Sequence, residues 1–522
     1  MRYKLFGLVS MAVMLAVSIT AVSVGSDNQN VRIEQHVSAR QPYEGCDCDQ
    51  SELCTHLPLV VINTGGSEMP GEPIVSTVGS EVIVEYTKTE NGESMLKADI
   101  SIMDNPDKNH HPSDEPDISS SVLIRIRGNS SRFFDKKNYL IRFIDDSGKY
   151  ENHEVMGMES HYEWALHGPF LDKSLIRNYM WYNISGKIMD YSPNVRFCEV
   201  ILNGEYIGLY VMTETLTNGD GSRLNISEPV SGTTNTGYLL RVDTGSDNDL
   251  KNIEPFSKYT YKLKNPNMYV DIQYPRAGDL TEEMADAITS DFSDFEKALY
   301  SYDHDTLKYG YWNNIDVQSF VDYFIINEFT SNYDVGTRST YIYKDIGGKY
   351  KMAVWDFNSA CDNYQDLSLS SGMLWVNFNE FDNEADIFSF KNSAINAYYF
   401  ELQNIVWYFM LMKDESFTES IIDRYRELRK TYLSEEYLYK YIDDTVAYLG
   451  DAVDRNFEVW GYTFDEEFDY QLLYPPERNL RSFDEAIEQL KYYIHERGLW
   501  MDENIEILRQ YSHDSKNKKF NH

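Results

Sequence analysis

Basic residues are scarce in this chain. Lys and Arg together number 47 against 84 Asp and Glu, a formal net charge of -37 over 522 residues. A nucleic-acid binder needs a basic footprint to replace the counterions on phosphate. The composition excludes that class and leaves room for a cationic protein partner drawn in by long-range attraction. Cysteine is scarce as well, with five in all. Cys46, Cys48 and Cys54 cluster, while Cys198 and Cys361 stand alone. The cluster has no fourth Cys at finger-like spacing, only His56 is close, and Cys-x-Cys is not a standard zinc half-site. A local disulfide or tether is therefore expected ahead of zinc, and the odd count leaves at least one Cys unpaired within the chain. Internal repeats and long low-complexity tracts are missing. After Val24 no apolar run is long enough to span a bilayer. Global disorder is excluded by a hydrophobic fraction of 42%.

What is present begins with an export pattern. Arg2 and Lys4 precede an uncharged, largely apolar stretch from Leu5 to Val24, and small Ala21, Ser23 and Gly25 lead into polar Ser26. This order is that of a signal peptide over residues 1–25. The run also has the length of a membrane anchor if it is left uncleaved. Residues 26–56 read as a polar linker carrying the Cys cluster. Tyr occurs 41 times, which suits either an adhesive surface or a core whose side chains carry polar tips.

From Leu57 the patterning turns to strands: Leu57–Ile62, Val82–Tyr86 and Ala98–Ile102 form an N-terminal β module over 57–120. A larger domain over 121–512 follows, with strands at Val122–Arg127, Tyr139–Phe143, Val195–Leu202, Tyr206–Met212 and Tyr238–Val242. Asn203-Gly204 marks a tight hairpin. Helical spacing covers Lys173–Met189, Asp316–Phe329, Ala397–Met412, Ser416–Tyr432, Leu438–Trp460 and Ser482–Arg497. A second hairpin joins Thr340–Tyr343 to Tyr350–Trp355 through Gly347-Gly348. A basic tail, 513–522, closes an α+β layout with a helical C-terminal region.

Two carboxylates flank that second hairpin, Asp334 before it and Asp356 just after it. A hairpin folds back on itself, so both can face one site. Phosphoryl transfer uses such a pair, one carboxylate orienting the attacking hydroxyl and the other holding Mg²⁺ on the nucleotide phosphates. Turn formation alone also accounts for Asp at such positions. Near the N-terminus, Arg125-Ile126-Arg127-Gly128-Asn129-Ser130-Ser131-Arg132, followed by Lys136-Lys137, places cations around a Gly turn whose backbone N–H groups suit phosphate. Pairing with surface carboxylates is the other reading of these cations.

Four segments resemble the CotH kinase family. They are the Arg127-Gly128-Asn129-Ser130-Ser131 run with Lys136-Lys137, the run from Trp164 to Arg177 containing Asp172-x-Ser174-x-x-Arg177, the hairpin from Leu202 to Glu214, and the Asp334–Asp356 block. The resemblance implies an atypical protein-kinase-like fold, ATP with Mg²⁺ or Mn²⁺, and transfer to Ser or Thr of spore-coat or extracellular proteins. It implies Asp334 as the catalytic carboxylate, Asp356 and Asn358 as metal ligands, and Arg127, Lys136, Lys137 and Glu214 as nucleotide-binding residues. The chain departs from the family in two places. Arg338, Ser339 and Thr340 stand where the family tends to carry Asn, and Asn358 stands where it often carries a second Asp. A neutral amide is the weaker Mg²⁺ ligand, so a non-catalytic coat or envelope protein is the alternative. A module for extracellular polysaccharide degradation is disfavoured, because no paired acidic sugar-site signature or Ca²⁺ loop stands out. The net charge and the acidic stretches at Asp362–Asp366 and Glu380–Asp386 point to a Ser-rich, basic protein substrate. The expected location is secreted, at the cell surface or on the spore coat, with membrane attachment only if the signal is kept.

Overall fold

Strand alternation builds the first layer. Leu59–Asn63 (β1), the paired Pro73–Val78 (β2) and Glu81–Tyr86 (β3), Leu96–Met103 (β4), Ile118–Arg127 (β5), Asn138–Ile144 (β6) and Glu163–His167 (β7) precede a helix, Arg177–Ile188 (α1). Val195–Leu202 (β8) and Glu205–Glu214 (β9) follow it. Seven of these strands close into a barrel in the order β1-β4-β5-β6-β7-β9-β8. Its neighbours are antiparallel except β1 and β8, which run parallel with Leu59 opposite Glu199. Every second residue points inward, as a pleated strand requires. Val60, Ile62, Ile100, Val122, Ile124, Ile141, Trp164 and Val200 are wholly or almost wholly buried and fill the barrel. The described residues of this computed structural model are 32, 34–37, 46, 48, 51–78, 81–219, 221–243, 248–256, 269–332, 335–336, 338–363, 406–468, 470, 479–510 and 512–514. Those from 34 onward belong to one compact unit.

The second layer is a sheet of Tyr238–Asp243 (β10), Asn252–Ile253 (β11), Tyr269–Tyr274 (β12), Thr340–Lys344 (β13) and Lys351–Ala353 (β14), in the order β11-β12-β10-β13-β14. Helices Glu282–Tyr300 (α2) and Val317–Thr330 (α3) belong to its large aromatic core, where Phe292 and Phe295 meet Tyr350 and Trp407. The C-terminal part is helical: Val406–Leu411 (α4), Glu415–Leu428 (α5), Glu435–Leu449 (α6), Ala452–Trp460 (α7) and Phe483–Asn504 (α8). The protein is thus α+β, β-rich toward the N-terminus and helical toward the C-terminus.

Several expectations meet different structure. Strands on both sides of residue 120 close the same barrel, and β5 itself runs through that position. The single helix expected over Leu438–Trp460 is two, α6 and α7. Gly450 breaks it with φ +48°, its N–H still donating to Val446 O at 3.2 Å. The 19-residue α2 has no counterpart among the expected helices. Its signals are nonetheless present: Thr281 caps the first turn by accepting from the Met284 N–H, and Met284, Ala285, Ile288, Phe292, Phe295 and Leu299 form one buried stripe. Among the described residues no helix is long and apolar enough to cross a membrane. The expected signal segment, residues 364–405 with the acidic stretch at 380–386, and most of the basic tail lie outside the described residues.

Candidate functional site

Ile124 and Ile126 of β5 point into the barrel, so Arg125 and Arg127 take the opposite face and line a cleft of about 630 Å³ toward the second sheet. At the end of β5, Gly128 turns the chain with φ +113°, and a Cβ there would collide with Ser131 Oγ. Only glycine takes this backbone without strain. The turn continues into a single 3₁₀ turn at Ser130–Phe133 and exposes Asn129, Ser130 and Ser131 to the cleft. Gly128→Ala is expected to cost about 1 to 3 kcal/mol of strain. A denaturant midpoint equal to that of wild type would show that the turn relaxes without cost.

Among the described residues the cations at this turn form no close ion pair, although Arg127 lies within electrostatic reach of Asp356 and Arg125 of Glu163. Arg132 Nε donates to Gly128 O at 2.7 Å and its Nη1 to Gly71 O at 2.9 Å, with the guanidinium 3.9 Å from the centre of the Tyr86 ring. The Arg127 guanidinium sits 5.2 Å from the centre of the Trp355 ring. Burial pushes Arg125 down to about 10, and Arg132, Arg127 and Arg142 push it further in the same direction. Among the described residues, none of Arg125, Arg127 and Arg132 pairs with a carboxylate. Across the cleft, Arg241 on β10 holds Asp271 at 3.2 Å and Asp243 at 3.7 Å, and Lys251 and Arg338 add further positive charge. The lining therefore has six basic side chains against three carboxylates, Asp243, Asp271 and Asp356, in a chain of net charge -37. A multivalent anion would relieve this crowding.

Asp356 lies just beyond β14 in left-handed backbone, φ +61°. Four contacts hold its loop. The Asp356 N–H donates to Tyr182 Oη at 2.9 Å, and Asn332 Nδ2 donates to Asp356 O at 3.0 Å. The Phe357 N–H donates to Asn178 Oδ1 at 2.7 Å, and Asn178 Nδ2 donates to Asn358 Oδ1 at 2.9 Å. Asn358 Nδ2 in turn donates to Asp356 Oδ1. Burial raises the Asp356 carboxyl above its ordinary value, with the Asn358 hydrogen bonds and Arg127 opposing that rise. Ser331, Ser339, Cys361 and Asp362 are also non-glycine residues with positive φ, so strained backbone gathers around this loop.

The Asp172-x-Ser174-x-x-Arg177 run works one layer further back. The Asp172 carboxylate accepts from Ser174 Oγ at 2.6 Å, from the Arg177 N–H at 3.0 Å and from Arg177 Nη1 at 2.5 Å. Arg177 Nε donates to Ala360 O at 3.0 Å. The motif thus starts α1 and fastens it to the chain just after Asp356. On α1, Asn178 and Tyr182 are one turn apart and share the face that grips the loop. Sequence reasoning passed over both; the signal was an Asn and a Tyr spaced i,i+4 directly after the motif.

Of the expected site residues, Arg127, Asp356 and Asn358 line the cleft together. Asp334 lies outside the described residues, while its neighbour Asn332 is bonded to the Asp356 carbonyl. Three others lie apart from the cleft lining. Lys136 is buried, its Nζ donating to Asn456 Oδ1 of α7 at 2.6 Å, and burial pulls its pKa well down. Lys137 Nζ bridges Glu72 and Arg132 O, both at 2.8 Å, which braces the basic turn from behind. Glu214 pairs with Arg223 at 2.8 Å and accepts the Asn194 N–H at 2.8 Å.

Barrel, second sheet and cleft define an α+β protein with a cation-rich cleft set against a strained aspartate loop. The chain belongs to the CotH kinase protein family, whose model matches residues 124–501, well over half of its length. That span starts inside β5 and ends in α8, so β1 and β4 complete a barrel that the family match enters partway. Membership makes this a kinase-like, spore-coat-related protein. Among curated proteins none gives a significant match.

Proposed function

We propose that the protein is an exported protein kinase with an atypical kinase-like fold, which binds ATP with Mg²⁺ or Mn²⁺ in this cleft and phosphorylates Ser or Thr of coat or extracellular proteins. The observation that carries this reading is the excess of basic side chains, six against three carboxylates, lining the cleft with Asp356 in a strongly acidic chain. The residues fit the implied groups. Arg125, Arg127 and the Gly128 turn suit a polyphosphate. The Asp356 carboxylate is an oxygen donor of the kind that hard divalent cations take. The Asn358 amide presents its Nδ2 to that carboxylate, and its Oδ1, which accepts from Asn178, would have to turn to join as a second ligand. When bound, the cation would neutralise charge on the phosphates. The chain's own residues supply the positioning: Asn178 and Tyr182 fix the Asp356 loop, Arg125 and Arg127 orient the nucleotide, and Asp334 is the carboxylate assigned to act on the incoming hydroxyl. The export pattern at Arg2–Gly25 supports action outside the cytoplasm.

ATP with Mg²⁺ at about 100 times its dissociation constant should stabilise the protein by about 2.7 kcal/mol. Asp356→Ala is expected to lose most of that gain in a thermal-shift measurement. Equal stabilisation of variant and wild type would remove Asp356 from the metal site.

One observation favours a second reading, a non-catalytic coat protein. Asn358 stands where a second carboxylate would serve, and both ends of its amide are already engaged, by Asn178 and by Asp356. Labelled ATP with Mg²⁺ or Mn²⁺ and a Ser-rich basic peptide decides between the two: nucleotide binding without transfer to any substrate is the result for a pseudokinase.

A further inference from the structure

Far from the cleft in function, the fold assembles a second constellation. Cys46, Cys48 and Cys54 precede β1, whereas His111 comes from the loop between β4 and β5. In space the three Sγ atoms and one His111 ring nitrogen all lie within 4.8 Å of one another, and all four residues are half-buried. His111 Nε2 is 3.4 Å from Cys46 Sγ. We infer that these four side chains form a structural Cys₃His zinc site, which ties the segment before β1 to the β4–β5 loop.

Three features of the surroundings support this. A tetrahedral zinc with Zn–S bonds of about 2.3 Å needs its sulfurs about 3.8 Å apart, well within the observed spread. The ligand-bearing segments are also held in register without a metal. Thr55 and His110 exchange backbone hydrogen bonds of 3.1 and 2.7 Å, and Ser113 N–H donates to Glu52 at 3.2 Å. The outer contacts are those that orient metal ligands: Asp114 Oδ2 lies 3.4 Å from His111 Nδ1, the ring nitrogen facing away from Cys46, and Asn109 Nδ2 donates to Cys54 Sγ at 3.3 Å. Four protein ligands leave no open position, so the role is structural and not catalytic.

The expected local disulfide is not formed among Cys46, Cys48 and Cys54. Nor is His56 the fourth group, because its Nε2 faces Tyr448 O at 2.6 Å. The partner that sequence spacing hid is His111, brought in by the antiparallel β1–β4 pairing, which sets Leu59 opposite Met103.

The test uses the full chain produced with zinc and purified without chelator. Elemental analysis should find one zinc per chain, and cobalt exchange should give the visible bands of a tetrahedral ion with a near-ultraviolet thiolate charge-transfer band. Cys48→Ser and His111→Ala should lose the metal, while His56→Ala should keep it. Should the first two fail to fold, His111→Cys keeps the proposal open to refutation: it should hold cobalt with a stronger thiolate band. Substoichiometric zinc in folded wild type overturns the site, as does an unchanged cobalt spectrum in His111→Cys. Non-reducing peptide mapping that finds a disulfide among Cys46, Cys48 and Cys54 in the secreted protein overturns it equally.

Discussion

Asp334→Asn is expected to bind ATP and metal almost as wild type does, yet to transfer phosphate at least about 10²-fold more slowly. The substitution keeps size and turn-forming ability and removes only the charge. A carboxylate that acts on the incoming hydroxyl gains its interaction in the transition state, so its loss appears in turnover and not in nucleotide affinity. Asn332, two residues earlier, already holds the Asp356 carbonyl, so the chain enters this segment beside the proposed metal ligand. If Asp334 only shapes the turn before β13, Asn serves there equally well and activity survives. Affinity and turnover measured on one purified variant separate these outcomes, and near-wild-type turnover ends the catalytic assignment.

The second large effect is on stability. Arg177→Ala should destabilise the fold by about 3 to 5 kcal/mol, the usual cost of leaving one member of a buried ion pair alone. Asp172 and Arg177 are both buried, with side chains 3% and 0% exposed, so water cannot replace the lost partner. The same change releases Ala360 O and the Gln489 side chain, which Arg177 Nη2 reaches at 2.7 Å. Denaturant midpoints of Arg177→Ala, Asp172→Ala and the double variant form a cycle. The double variant should cost clearly less than the two singles added together, and strict additivity would show that the pair is not coupled.

How much of this could be read from the residues depends on how local each signal is. The Asn203-Gly204 hairpin was legible because both residues must take positive φ, and they do so at +53° and +84°. Arg127 was legible because it ends β5, whose alternation turns it out of the barrel, and Asp356 because it is a carboxylate just past a hairpin strand. Asn358 came only with the family resemblance, since the loop beyond Ala353 has left strand geometry. Lys136 and Lys137 were not separable by sequence: two adjacent lysines leave a strand entrance on opposite sides, and only the presence of Asn456 and Glu72 shows where each goes. Asn178 had only the i,i+4 spacing with Tyr182 to mark it, its partner Phe357 lying 179 residues further on, and nothing beside His111 marks it at all. Helix α2 is a different case, since its cap and apolar stripe were in plain view. The parallel β1–β8 pairing has no local mark at all, because the strand that completes β1 is supplied by residues 199–202.

That pairing bears on how the protein is made. Strand β1 emerges from the ribosome well before β8, which arrives some 140 residues later, as the Leu59–Glu199 register shows. At ordinary synthesis rates the delay is on the order of ten seconds. Even once β4 has paired with it, the apolar Leu59-Val60-Val61-Ile62 strand keeps an open edge on the side that β8 will fill. An uncapped hydrophobic edge of this kind invites pairing with a neighbouring chain. Escort by a holding chaperone until β8 arrives would therefore bear on yield independently of the equilibrium stability of the finished barrel.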